Sequence, residues 1–140
     1  MPQESNIDVV TRGYAAFGRG DLEALLRIFD ENIEWVTPGP PELPTSGIRR
    51  GHKEVAQFFQ TLSEHFQVEQ FLPREFISEG DRVVVTGDEV ARLRSTGKVI
   101  NVKWAHVFGM KDGLVVTFQE YFDTCAAVEA LREAAASARA

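Results

Sequence analysis

The sequence predicts an α+β fold, in which a curved, mostly antiparallel sheet forms a cone-shaped barrel around three N-terminal helices and a further helix follows at the C-terminus. Two observations predict it. Apolar residues recur at helical spacing in the first part of the chain, and runs rich in β-branched and aromatic residues dominate the second half. Helices that are segregated from consecutive strands pack on one face of an antiparallel sheet. A long sheet twists and curls, so we expect a cone with a mouth.

Two helices are predicted at the N-terminus. The first, Gln3 to Arg19, carries an apolar stripe with the spacing of one helix face, and a glycine-rich break follows it. Asp21 then caps a second helix, Leu22 to Phe29, which forms a helical hairpin with the first. The stripe of the first helix consists of Ile7, Val10, Tyr14 and Phe17.

The middle of the chain contains a short strand, a long loop and a third helix. The strand is Ile33 to Thr37, and the loop, Pro38 to Gly47, holds four of the six prolines. A loop of this length is either a rim or lid of a cavity or a plain surface excursion. The third helix runs from His52 to His65, and we expect His52 itself to face solvent.

Four strands and a last helix complete the chain. Short polar turns separate the strands, and an alanine-rich segment follows the last one. These elements are Gln67 to Ile77, Val83 to Leu93, Val99 to Phe108, Leu114 to Phe122, and the helix Thr124 to Ala140.

The last two strands form a hairpin around Asp112-Gly113, because this dipeptide tolerates the positive φ angles of a tight turn. Side chains alternate between the faces of a strand, so each strand presents a titratable residue between two large aromatics on one face. Residues pair when their numbers sum to about 225 or 226, which puts His106 opposite Gln119 or Glu120. The two sets are Trp104, His106, Phe108 and Phe118, Glu120, Phe122.

Length and composition indicate a soluble, cytoplasmic protein with a single domain over residues 1–140. The net charge of −6 argues against nucleic acid and anionic membranes as partners. No apolar run reaches the length of a membrane span, and the N-terminus lacks the pattern of a secretory signal. The only cysteine, Cys125, excludes an intramolecular disulfide.

Short motifs in this order resemble the SnoaL-like branch of the nuclear transport factor 2-like (ketosteroid isomerase-like) superfamily, from Asn6 to about Ala130. The resemblance implies a cone-shaped α+β barrel with a deep, largely apolar pocket, and it points to a homodimer. The superfamily includes isomerases, cyclases, epoxide hydrolases, dehydratases and proteins that only bind or scaffold, so fold alone does not settle function. The motifs are Ala16 to Leu25, Glu34-Trp35, Arg50-Gly51-His52, Lys111 to Val115, and Glu120 to Asp123.

The resemblance can be carried over residue by residue. SnoaL-type cyclases use an aspartate on the last strand with a histidine on the preceding strand, and Glu120 and His106 match these positions. Glutamate in place of aspartate sets the carboxylate one methylene further out. The early-strand aspartate of ketosteroid isomerases has no match here. The Asp-Arg-Asp set of limonene epoxide hydrolases is matched only by Asp88 and Arg92, on a strand face that we expect to lie outside.

The hypothesis is proton transfer, of the isomerase or cyclase type, on an apolar carbonyl compound. Glu120 would act as the base, and His106 would orient it or donate to an enolate oxygen. Glu89 would be a second acid in the pocket that shares a proton with Glu120. The predicted substrate-binding walls are Tyr14, Phe17, Trp35, Phe58, Phe59, Trp104, Phe108, Phe118 and Phe122.

Two alternatives stay open at this point. The polar residues could form a satisfied network that only braces the sheet, or the pocket could bind a ligand without catalysis, so that the protein is a binding or dimeric scaffold module. No metal or cofactor is expected, since the three histidines are far apart and no glycine-rich phosphate loop is present. A homodimer is expected through the outer sheet face, which carries Val99, Lys103, Val107, Val116 and Tyr121.

Overall fold

The structure is a computed structural model that describes residues 4–139, so the predicted helix ends at Gln3 and Ala140 lie outside it. The described residues form four helices and six strands, and the α+β prediction is confirmed. The elements are α1 Asn6–Gly18, α2 Leu22–Leu26, β1 Phe29–Thr37, β2 Gly47–Arg50, α3 Gly51–His65, β3 Phe66–Glu79, β4 Arg82–Leu93, β5 Val99–Lys111, β6 Leu114–Phe122 and α4 Thr124–Arg139.

The six strands form one curved sheet in the order β2-β1-β6-β5-β4-β3. All neighbouring pairs are antiparallel except β1 and β6, which pair in parallel through the register of Trp35 with Phe118. The sheet is open, because β2 and β3 end it as edge strands instead of closing it into a complete barrel. Its curvature still gives the predicted cone, with α1 and α3 against the inner face.

Several boundaries differ from the prediction by a few residues, and two differences change the elements next to β1, which itself begins at Phe29 and not at Ile33. The second helix ends at Leu26, because the backbone N–H of Val115 donates to Ile28 O at 2.8 Å and Phe29 pairs with Val115. Pairing with β6 therefore ends the helix at Leu26, although the apolar spacing of the sequence continues to Phe29. The other difference is strand β2, which lies partly in the predicted loop and pairs antiparallel with β1.

Local signals set the starts of α1 and α2 and the turn between β5 and β6. The side chain of Ser5 accepts from the backbone N–H of Asp8 and caps α1, and that of Asp21 accepts from the backbone N–H of Ala24, which confirms the cap predicted for α2. At the β5–β6 turn, Asp112 and Gly113 have φ values of 52° and 78°. These positive angles confirm the predicted tight hairpin turn.

The core lies between the inner sheet face and the helices. Its most deeply buried side chains are apolar and come from β1, α3, β4 and β6, and a second, smaller cluster joins Leu43 to α4. The prediction that His52 faces solvent is wrong, because its side chain is partly buried and its Nε2 lies 2.9 Å from Phe29 O. No helix among the described residues is long and apolar enough to cross a membrane. The fully buried side chains include Ile33, Val55, Val83, Val85 and Val115.

Candidate active site in the sheet cone

An apolar chamber of about 110 Å³ lies inside the cone, between the inner sheet face and the helices. A cavity of about 150 Å³ lined by apolar residues holds benzene. The resting chamber therefore suits a compound of no more than about one ring. Aromatic and aliphatic side chains make most of its wall, and the polar groups that line it are Tyr14, Thr45, Glu89, His106 and Glu120.

Three of these polar groups form a continuous hydrogen-bonded row. The hydroxyl of Tyr14 lies 2.6 Å from Nδ1 of His106, and Nε2 of the same ring lies 2.9 Å from Oε2 of Glu120. His106 and Glu120 face each other across β5 and β6, as the hairpin register predicts. His106 is only 5% exposed, so the row is held inside the protein.

The direction of these hydrogen bonds follows from the state of Tyr14. Burial, together with the negative charge of Glu120, raises the pKa of the Tyr14 hydroxyl. The phenol therefore keeps its proton, and it donates this proton to Nδ1 of His106, the only hydrogen-bond partner of the hydroxyl among the described residues. Nε2 then carries the ring proton and donates to the Glu120 carboxylate. Nδ1 of His106 and one oxygen of Glu120 are thereby satisfied as acceptors, and the second bond fixes the orientation of the Glu120 carboxylate.

Glu89 is the second carboxyl of the chamber, and unlike Glu120 it is not part of the hydrogen-bonded row. It lies on β4, paired with Phe71 on one side and Val102 on the other. Burial, and secondly the charge of Glu120, raises its pKa to about 7. Among the described residues its side chain has no hydrogen bond or ion pair, so Glu89 and Glu120 interact through space and not through the shared proton that the sequence suggested.

Eight of the nine predicted wall residues line the chamber. Trp104 does not, and lies behind the wall instead. Its ring stacks on His106 at a centroid distance of 4.1 Å and on Phe71 at 4.7 Å. It also covers the backbone of Gly87, where a Cβ atom would come within 2.4 Å of the indole. Trp104 therefore packs against the imidazole of His106 from behind and does not border the chamber, whereas the other eight residues do.

Sequence reasoning missed several wall residues. Phe71 on β3 covers the chamber and stacks on Trp104, although the alternation of its strand could have indicated an inward side chain. Leu43 and Thr45 come from the proline-rich loop, so the rim alternative for that loop is the one that the structure favours. Leu43 is 1% exposed, a burial that no local pattern in a loop predicts.

Two contacts hold this loop against the rest of the molecule. The guanidinium of Arg49 donates to Thr45 O at 2.8 Å and to Pro44 O at 3.2 Å. Arg132 of α4 binds Glu42 at 2.8 Å on the outside. The loop thereby closes one end of the chamber, and α4 contributes Ala127 to the same end.

Asp88 and Arg92, the partial match to the Asp-Arg-Asp set of limonene epoxide hydrolases, lie outside the chamber. Asp88 is paired with Arg74, and Arg92 is paired with Glu69 at 2.5 Å, all on the outer sheet surface. Neither Asp88 nor Arg92 lines the chamber. An epoxide-hydrolase arrangement is therefore not formed at this site.

Comparisons with known proteins agree with this architecture. The family model of the SnoaL-like domain matches residues 10–118. An uncharacterized protein of Mycobacterium tuberculosis is 30% identical over 132 residues, which cover 92% of this chain and 97% of that protein.

Two solved structures are similar over most of their length. An NTF2-like protein of unknown function from Burkholderia pseudomallei has 30% identity and a TM-score of 0.85, with 91% of this chain and 97% of that chain covered. TerC, co-crystallized with polyporic acid, has 32% identity and a TM-score of 0.81, with 89% and 95% covered. The open cone and the family match lead to one conclusion: the chain belongs to the SnoaL-like domain family of the NTF2-like superfamily.

Proposed function

We propose that the protein catalyses proton transfer on a small apolar carbonyl compound bound in the chamber. One observation carries the proposal. The row from Tyr14 through His106 to Glu120 ends in a chamber that also holds Glu89, a carboxyl with a pKa near neutrality. Perturbed titratable groups that face a ligand-sized apolar cavity are typical of acid–base sites.

Glu120 acts as the base in this proposal. His106 holds one carboxylate oxygen at 2.9 Å, which leaves the other oxygen available to a substrate. The base removes a proton from the carbon next to the carbonyl, and the electron pair of the broken C–H bond forms the enolate. General base catalysis of this kind contributes about 10²- to 10⁴-fold to the rate.

Glu89 supplies the returning proton. A carboxyl with a pKa of about 7 is half protonated near neutral pH, so it can act as an acid there. Protonation at a second carbon gives an isomer, and the protons on the two carboxyls then exchange with solvent to restore the starting state. The reaction needs no external oxidant or reductant.

The limited volume of the chamber favours small substrates. The wall is almost entirely aromatic and aliphatic, which suits a neutral hydrocarbon ring with one carbonyl group. TerC, which was co-crystallized with polyporic acid, supports ligand binding in this fold. The volume of the chamber, about 110 Å³, favours a ligand of which no more than about one ring enters it.

The test is isomerisation of cyclopent-3-en-1-one to its conjugated isomer, measured by the ultraviolet absorbance of the conjugated enone and by deuterium uptake from heavy water. We expect turnover with the unchanged protein and a loss of at least about 100-fold in kcat for Glu120→Gln. Asp88→Asn is the matched control, because Asp88 is the neighbour of Glu89 on the opposite sheet face. Equal rates for Glu120→Gln and the control would contradict the proposal.

The second measurement is the pH profile. The titratable groups that line the chamber are Tyr14, Glu89, His106 and Glu120. If Glu89 is the acid, kcat falls as the pH rises through about 7, and the Glu89→Gln variant loses this alkaline limb. A limb that persists in this variant would show that another group supplies the proton.

A ligand-binding module without catalysis is the alternative. Both ring nitrogens of His106 already have hydrogen-bond partners within the protein, and a fully satisfied network of this kind is typical of a structural role. In that case the enone binds in the chamber, yet neither isomerisation nor deuterium uptake exceeds the rate in buffer.

A further inference from the structure

A second depression adjoins the chamber on the helical side of the molecule. It lies between the α1–α2 hairpin and α3, has a volume of about 660 Å³ and is open to solvent. We call it the helix groove. It shares wall residues with the chamber, namely Phe17, Leu25, Phe59, Leu62 and Phe66.

This shared wall is one side chain thick. Phe17 and Phe59 are only partly buried, and their ring centroids lie 6.0 Å apart. Each has one surface toward the chamber and another toward the helix groove. Rotation of an aromatic side chain at this place would join the two spaces, whereas elsewhere the chamber is bounded by the sheet, by the anchored loop or by other residues of the helices.

The two spaces differ in charge. The chamber contains the carboxyls of Glu89 and Glu120, and no lysine or arginine lines it among the described residues. The helix groove contains Lys53 and Arg94, both exposed. Its one acid, Asp21, is engaged with the N-terminus of α2 and with Arg19, so the groove is positive on balance.

The two cations lie at opposite ends of the helix groove. Lys53 is six residues before Phe59 on α3, about 9 Å along the helix axis. Within the described part of the chain, the Lys53 side chain makes no hydrogen bond or ion pair. Arg94 is held at the other end by its Nε donating to Ser63 O at 2.6 Å, which leaves the outer edge of its guanidinium for an anion.

We propose that the helix groove is the outer half of the ligand site, and that the ligand has an apolar head for the chamber and a carboxylate tail for the groove. This inference rests on the proposed function, because it takes the chamber as the place of the head. The charges fix the direction of binding. A carboxylate in the chamber would face two acids, whereas a carboxylate at the groove meets Lys53 or Arg94.

The probes are cyclopentane carboxylic acids with zero to five methylenes between ring and carboxylate, and the alcohols of the same chain lengths. Dissociation constants are measured by calorimetry at pH 8 and low salt. At zero methylenes we expect the acid to bind at least about tenfold more weakly than the alcohol. At the longest chain we expect the acid to bind about two- to fivefold more tightly, the range of exposed ion pairs.

Variants of the cations locate the tail. Lys53→Gln or Arg94→Gln should remove the advantage of the long acid over the long alcohol and leave the short alcohol unaffected. Lys111→Gln is the matched control, since it removes one exposed positive charge at the β5–β6 turn, away from both spaces. An unchanged advantage in both groove variants would overturn the proposal.

Competition distinguishes one site from two. Cyclopentylmethanol should displace the long acid if the head occupies the chamber. If both bind together, the helix groove is a separate docking surface and the inference fails, while the proposed function stands. If the short alcohol and the enone both fail to bind, the proposed function fails together with the inference.

Discussion

The hydroxyl of Tyr14 on α1 lies 2.6 Å from Nδ1 of His106 on β5, 92 residues further along the chain. This contact ties the helical layer to the sheet at the centre of the chamber. It also fixes which imidazole nitrogen carries the proton, and therefore how Glu120 is held on the far side of the ring.

Replacement of Tyr14 by phenylalanine tests this contact. Tyr14→Phe leaves Nδ1 of the buried His106 without its donor, and an unsatisfied buried group costs about 1–3 kcal/mol. We expect a loss of that size in the free energy of unfolding, measured by urea titration at pH 7, together with a lower kcat in the enone assay. Tyr121→Phe is the control, because Tyr121 is 56% exposed on the outer sheet face. Equal stability of the two variants would contradict the assigned role.

The raised pKa of Glu89 makes stability depend on pH. The folded protein holds this proton up to about pH 7, whereas the unfolded chain releases it near 4.5. The folded state therefore binds more protons between these values, and this contribution to stability is lost as the pH rises from 4.5 to 7. The shift corresponds to at most about 3 kcal/mol.

Glu89→Gln should remove this loss, because glutamine has no proton to release. We expect the variant to be more stable than the unchanged protein at pH 8 by up to about 3 kcal/mol, with little difference at pH 4.5. Urea unfolding at the two pH values measures it, and Asp88→Asn serves as the carboxyl control on the outer face. A variant with the same pH dependence as the unchanged protein would show that Glu89 is ionised in the folded state.

The Trp104 indole, which stacks on His106, also packs closely on the backbone of Gly87, and substitution of this glycine tests that packing. A Cβ atom there would lie 2.3 Å from Leu72 O and 2.4 Å from the Trp104 ring, so Gly87→Ala displaces a strand or the indole. We expect a destabilisation of about 1–3 kcal/mol in thermal or urea unfolding. Gly18→Ala, where nothing lies within 4 Å of the added atom, should be neutral or slightly stabilising. Similar stability for both variants would refute the packing argument.

The outer sheet face carries a row of side chains that crosses all six strands. The strand register aligns them, five of the six are apolar, and the end residues Ile48 and Ile77 are 54% and 58% exposed. We propose that this row joins two copies of the chain into a homodimer, since extended apolar patches on a surface mark interfaces. The row is Ile48, Val36, Gln119, Val107, Val84 and Ile77.

Val107→Lys should break this dimer, because it puts a charge at the middle of the row. Analytical ultracentrifugation is expected to give twice the chain mass for the unchanged protein and the single chain mass for the variant. Thr11→Lys on the exposed side of α1 adds the same charge elsewhere and should remain dimeric. A monomer at all concentrations of the unchanged protein would rule the interface out.

Local sequence patterns predicted the secondary structure, the pairing of the last two strands and the family of this protein. The alternation in the last hairpin and its Asp112-Gly113 turn predicted that His106 would pair with Glu120 or its neighbour, and the register confirms the pair with Glu120. The helix cap at Asp21 was likewise predictable, because it depends on residues within three positions of the chain. The order of the short motifs also predicted the family, and the model of the SnoaL-like domain matches residues 10–118.

Only the tertiary structure decided the chemistry of the site. The partner of His106 on α1, the burial of Leu43 and the parallel pairing of β1 with β6 join segments far apart in sequence, and no periodicity encodes them. The position of Trp104 behind the wall depends on how Gly87 lets the strands approach. The pKa of Glu89 depends on its burial and on Glu120 across the chamber. Sequence periodicity specifies the face on which a side chain lies, whereas its proton affinity depends on everything that the fold packs around it.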